Sequence, residues 1–240
     1  MISQPLQLDP LGSPHPVPWK WVMSMLSERS TFPKVRHYRS QSLLSPDGRY
    51  AAYSRIQIKL ARDFTQSRIS STLFLENLQT GSLQNIAASS PFADNPFAED
   101  SLSADGVEPV EVDRSGIIAI LIPVAWSETG DRLLAREFES FLGSDIASDF
   151  GVVWEQRSNR AHTIMPNKIQ YTNAILLGWS QCYPDRVLFR AGMMGDRDWS
   201  LYAVDTTGQT IAVTDDRPVT FGRMVNSVWA GPETGKRCRD

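Results

Sequence analysis

Hydrophobic and polar positions change their period once along this chain. Trp19, Val22, Met23 and Leu26 recur at i, i+3, i+4 and i+7, and Trp21 and Met25 widen the apolar stripe. Lys20, Glu28 and Arg29 stay on the polar side, so residues 18–29 predict an amphipathic helix. From about Val35 the pattern shortens to runs of four to eight residues bounded by turn residues, which predicts strands. Residues 50–54 alternate after the turn Ser45-Pro46-Asp47-Gly48. There proline sets φ, aspartate bonds its own backbone, and glycine supplies a positive φ. Residues 72–78 and 83–87 then form a hairpin around Gln79-Thr80-Gly81-Ser82.

The same pattern is written again. Pro123-Val124-Ala125-Trp126-Ser127 leads through a turn at Gly130 into residues 132–136, and a hairpin over residues 150–165 follows. A third copy runs from Leu176-Leu177-Gly178-Trp179-Ser180 through Tyr183-Pro184-Asp185 into residues 186–191. Its hairpin covers residues 199–214, turning at Thr206-Thr207-Gly208. A fourth opens at Val228-Trp229-Ala230 with Gly235 at its turn. The turn positions Gly48, Gly130, Asp185 and Gly235 are 82, 55 and 50 residues apart. The last two intervals approach the roughly 40–50 residues of one four-stranded propeller blade. The first is lengthened by an acidic insertion at residues 89–114.

At these cores the sequence resembles the TolB-type (WD-like) β-propeller repeat, with its Trp/Leu-Ser-Pro-Asp-Gly-Lys/Arg turn before a strand. Leu44-Ser45-Pro46-Asp47-Gly48-Arg49 matches closely; Trp126-Ser127-Glu128-Thr129-Gly130-Asp131-Arg132 and Trp179-Ser180 with Pro184-Asp185-Arg186 match more loosely. The Leu201-Tyr202-Ala203-Val204-Asp205 strand is similar to the family's outer hairpin. The resemblance implies an all-β fold of propeller-like four-stranded blades, partial or open, with an N-terminal helix added. Residues 1–34 form a proline-rich arm and the amphipathic helix, and residues 35–240 the repeat domain. Three blades and a fragment fall short of a closed ring. A cryptic blade, a second copy or partner completing the propeller, or a chain cut short would each account for this.

Composition narrows the function classes. The 240 residues are 41% hydrophobic and 21% charged, ordinary for a globular chain. A net charge of −3 gives no global attraction to nucleic acid or anionic membrane. The most apolar stretch, residues 116–126, is too short for a membrane-spanning helix. Pro5, Pro10, Pro14, Pro16 and Pro18 would break a signal-peptide helix. Cys182 and Cys238 form no CxxC pair and suit reduced thiols, so the expected location is cytoplasmic.

Candidate chemistry is sparse. His15, His37 and His162 have no metal-ligand spacing, and no metal or cofactor is expected. Gly178-Trp179-Ser180-Gln181-Cys182 approximates a nucleophile elbow, but Cys182 replaces the final glycine and a turn follows where a helix is needed. No catalytic residue is assigned. In the insertion, Asp94, Glu99, Asp100, Asp105, Glu108, Glu111 and Asp113 face Arg114 alone, without a calcium-loop pattern. Phe92 and Phe97, flanked by prolines, favour a partner-binding loop. Trp126, Trp179 and Trp229 share one repeat position and suit packing between blades, whereas Trp19 and Trp21 lie outside the repeat. The expectation is a non-catalytic scaffold that binds another protein through Trp19, Trp21, Phe92 and Phe97. The alternative is a propeller associated with, or acting as, a hydrolase or lyase with a channel active site.

Overall fold

A computed structural model describes residues 9–28, 34–92, 114–226 and 230–233. In chain order these form α1 (Trp19–Leu26), β1 (Lys34–Arg39), β2 (Ser42–Leu44), β3 (Tyr50–Leu60), β4 (Arg68–Asn77) and β5 (Leu83–Ile86). Then come β6 (Ile117–Trp126), β7 (Arg132–Phe141), β8 (Ala147–Glu155), β9 (Arg160–Ile164), β10 (Asn173–Ser180) and β11 (Val187–Gly192). The last are β12 (Ser200–Val204), β13 (Thr210–Val213), β14 (Pro218–Val219), β15 (Arg223–Val225) and β16 (Gly231–Pro232). Among the described residues the fold is all-β apart from α1 and one short 3-10 turn. It contains three antiparallel four-stranded meanders, β2 to β5, β6 to β9 and β10 to β13. A parallel bridge between Ile69 and Ile118 joins the first two into one sheet, and the third is a separate sheet.

Each repeat core holds its turn in a similar way. The Ser45 hydroxyl donates to Asp47 and accepts the Tyr50 N–H; the Ser127 hydroxyl donates to Asp131 and accepts the Arg132 N–H. In the third meander the carboxylate comes from a distant segment. Ser180 donates to Asp216, which also accepts the Gln181 and Cys182 N–H groups. Ser180 is thereby a turn residue, in keeping with its repeat position.

Packing follows the strand alternation. Tyr50, Ala52, Leu73 and Leu75 of the first meander meet Trp126, Leu133, Val152 and Trp154 of the second, and Trp126 stacks on Tyr50 at 5.9 Å. The other face of the second meander, with Ala125, Leu134 and Val153, packs on Leu176, Trp179 and Phe189 of the third. Strands β6 and β10 are buried on both faces, which explains why residues 116–126 read as an unbroken apolar run.

The segment from Asp216 to Val225 crosses all three meanders. Val219 pairs with Trp179, Phe221 with Trp126, and Met224 with Leu43. It thus adds ladder partners to the first strand of every meander: it pairs the outer edges of β2 and β10, and extends at Trp126 the edge of β6 that β4 pairs at Ile118. Gly222 makes this crossing possible: at φ +100°, an added Cβ would lie 2.7 Å from both the Leu44 carbonyl oxygen and Trp126 Cδ1. Sequence patterning pointed to a new repeat opening just beyond the crossing, at Val228. Val228 and Trp229 lie outside the described residues, while Gly231 and Pro232 pair with β1.

Candidate functional site: the groove beside helix α1

Helix α1 is shorter than its apolar period suggested. It ends at Leu26, where the Ser27 hydroxyl bonds back to the Met23 carbonyl. Val22 is buried on a sheet surface of Ile56, Ile58, Leu60, Ile69, Ile118, Ile120 and Phe138. Trp19 meets Phe138 edge-on at 6.0 Å, and Trp21 lies against the Tyr38 ring at 5.1 Å. Both tryptophans are half-buried, with one side in the core and one side accessible.

Between α1 and the β1 edge lies a groove of about 630 Å³. Trp19, Trp21, Tyr38, Ile122, Pro123, Met224 and Pro232 supply its apolar walls, and Lys20, Ser24, Ser40 and Gln41 its polar rim. Such a site, apolar with a few convergent polar groups, suits binding. A second cleft of about 690 Å³ opens on the far side of the helix and shares Trp19. Its rim carries exposed Met23, Phe64, Phe141 and Met194.

The structure brings Trp19 and Trp21 together on the first groove. It places Phe92 elsewhere, half-buried, with its N–H donating 3.0 Å to Glu139 Oε1. Phe97 lies outside the described residues. Sequence reasoning missed Tyr38, Pro123, Met224 and Pro232. Tyr38 sits in a stretch that reads as basic, Lys34-Val35-Arg36-His37-Tyr38-Arg39, yet forms a strand with Tyr38 on the helix side. The other three come from segments distant in sequence: Pro123 from β6, Met224 from the crossing segment and Pro232 from β16, which pairs with β1.

The arm that precedes α1 is held by a buried ionic cluster. Arg136, fully buried, contacts Asp9 at 2.7 Å and Asp149 at 2.8 Å and donates to the His15 carbonyl at 2.7 Å. Asp9 also accepts the N–H groups of Leu11, Ser13 and Val17, and His15 Nε2 meets the Leu177 carbonyl at 2.9 Å. Burial pushes the Asp149 carboxyl up to about 6 despite Arg136 beside it. Burial, with the charges of Glu139 and Asp149, holds Glu137 well above the ordinary carboxylate range. Burial likewise raises Glu139 and lowers His15. Glu137, Glu139 and Asp149 are 3%, 4% and 0% exposed, and of the three Asp149 is tied to the arm through Arg136, so its altered acidity bears on the stability of the arm's seat. Among the described residues no group of three His, Cys, Asp or Glu side chains is placed to hold a metal ion.

No family model matches the chain, and no curated protein matches it. Among solved structures it is similar to an oligogalacturonate lyase in complex with manganese, with 14% identity and a TM-score of 0.26. The alignment covers 72% of this chain and 52% of the lyase, so the chain spans about half that protein's length. A likeness this slight carries no argument about activity. Among the described residues no helix is long and apolar enough to cross a membrane, which leaves β-barrels unaddressed.

Proposed function

We propose that the protein is a non-catalytic interaction module of the TolB-like propeller type, with three meanders as its blades, that binds a protein partner in the groove between α1 and β1. The observation that carries this reading is the groove itself: two tryptophans, a tyrosine and four prolines around about 630 Å³ beside a strand edge, rimmed by hydroxyl, amide and ammonium groups. Aromatic side chains with polar neighbours are what buried interface anchors are made of. In this reading residues 1–34 present the partner-facing helix, and the repeat domain from residue 35 gives it a rigid seat. Trp21, set against Tyr38 at the groove, is the anchor, and Trp19, which also packs on Phe138, fixes the helix.

The test is affinity isolation of the wild-type chain and of Trp21→Ala from native extract, followed by native mass spectrometry. A stoichiometric foreign protein lost in Trp21→Ala, with the melting temperature unchanged, supports the reading. A partner retained at full stoichiometry by Trp21→Ala overturns it. A clean homodimer that dissociates on the same substitution would make a second copy the partner.

A further inference from the structure

We infer that the edge of β1 facing away from β3 is a strand-addition site for an extended partner segment in which apolar and acidic residues alternate, and that residues 231–233 hold its place in the isolated chain. This rests on reading the neighbouring groove as the protein-binding surface.

β1 separates two unlike surfaces. On one side Tyr38 meets Trp21 and lines the groove. On the other, strand alternation puts His37 and Arg39 beside Gln57 and Arg55 of β3, with Lys59 one rung further. Arg39 lies 3.8 Å over the Tyr53 ring on that same side. Lys34 and Arg36 share the Tyr38 side, Arg36 lying 3.9 Å from Glu28, so a strand added at the Tyr38 end of β1 presents alternate side chains to an apolar groove and to a cationic face.

The described residues of the chain's own C-terminal segment, 231–233, already follow this rule. Gly231 pairs with Arg39, Pro232 pairs with Tyr38, and the Glu233 N–H donates 2.9 Å to the His37 carbonyl. Pro232 lines the groove. The Glu233 carboxylate turns to the opposite face and receives Arg55 Nε at 2.9 Å and Arg55 Nη2 at 2.7 Å. This two-pronged contact is the geometry by which arginine selects a carboxylate.

The placeholder is a poor strand. Proline has no N–H to give to a ladder, and glycine contributes no side chain to pack. A partner segment with a full set of N–H groups, an apolar residue opposite Tyr38 and an acidic residue opposite His37 makes more ladder bonds on the same edge.

The experiment uses the full chain with a short synthetic peptide alternating valine and glutamate, and a counterpart with lysine in place of glutamate. Affinities are read by tryptophan fluorescence and calorimetry. The glutamate peptide is expected to bind at least about tenfold more tightly than the lysine peptide, the size of one charge-assisted contact. Arg55→Ala should abolish that preference, Glu233→Ala should raise the affinity several-fold by removing the competitor, and Trp21→Ala should weaken both peptides. Melting curves report whether each variant is folded. Equal affinities for the two peptides, both lost in Trp21→Ala, overturn the inference and leave the groove reading standing. A glutamate preference that survives Arg55→Ala, or failure of both peptides to bind wild type and Glu233→Ala, also overturns it. Neither result touches the partner isolation that tests the groove.

Discussion

Replacing Arg136 with methionine is the sharpest perturbation of the architecture that holds the groove. The substitution keeps most of the side-chain volume but removes the cation that contacts two buried carboxylates, Asp9 at 2.7 Å and Asp149 at 2.8 Å. Asp9 retains three backbone N–H donors and Asp149 keeps one, from Leu176, so Asp149 is the more poorly compensated. Breaking a buried pair by removing one partner costs about 3–5 kcal/mol. At about 2–4 °C per kcal/mol for a chain of this size, the melting temperature should fall by about 6–20 °C. The loss should also depend on pH. With its cation gone, the Asp149 carboxyl gains a still stronger preference for the proton, so mild acid should return part of the stability. The double variant Arg136→Met, Asp149→Asn should recover part of it at neutral pH. Limited proteolysis should cut residues 9–17 of Arg136→Met faster than those of wild type, because Asp9 and His15 lose their tie to β7. A denaturation midpoint within about 1 kcal/mol of wild type, unchanged between pH 5 and pH 7.5, would refute the electrostatic account of the arm's seat.

Further outcomes follow from the same geometry. The Asp149 contribution to wild-type stability should decline as pH rises from about 4 to about 6, while His15 and His37, both held low by burial, contribute an opposing rise up to the ordinary imidazole pKa of about 6.5. The folded chain holds a proton on Asp149 up to about 6 that the unfolded chain releases at its ordinary 3.8, a difference worth about 3 kcal/mol. Glu137 extends that decline further upward, while Asp47, Asp131, Asp205 and Asp216, all held low, contribute stability that disappears only in stronger acid. Melting temperature against pH in wild type and Asp149→Asn checks this; the same slope between pH 4 and pH 6 in both would contradict it. Gly222→Ala should destabilise by roughly 1–3 kcal/mol and expose the 216–225 crossing to protease, since an added methyl meets a backbone oxygen at 2.7 Å. Ser180→Ala should cost about 1–2 kcal/mol, comparable with Ser45→Ala, because both hydroxyls pin turns. A much larger loss than in Ser45→Ala would point to a separate role for Ser180. Trp19→Ala should lower the melting temperature more than Trp21→Ala, since Trp19 packs on the fully buried Phe138.

The strands and their hairpins were legible because alternation and turn chemistry are local. Ser45-Pro46-Asp47-Gly48, Gln79-Thr80-Gly81-Ser82 and Thr206-Thr207-Gly208 all sit between the strands expected around them. The Trp126 and Trp179 positions were legible for the same reason, and both are buried between meanders. β1 was obscured by its charges: Lys34, Arg36 and Arg39 mask the alternation that puts Tyr38 against the helix. The crossing of residues 216–225 left no periodic trace, because its ladder pairs come two, one and three at a time from three separate strands. Asp216 reads as one of two adjacent acids in a polar turn, and only the fold reveals it as the missing carboxylate of the third repeat. Trp19 and Trp21 were visible as tryptophans outside the repeat. The rest of their groove was not, since Pro123, Met224 and Pro232 meet them only through tertiary contacts.

The claim that matters most is that the partner sits between α1 and β1. Amide hydrogen exchange of the chain, alone and in complex with the isolated partner, tests this most directly. The account predicts slowed exchange confined to residues 19–26, 34–44 and 223–233, with the third meander unchanged. Protection concentrated on residues 173–213, with α1 and β1 exchanging as in the free chain, would contradict it.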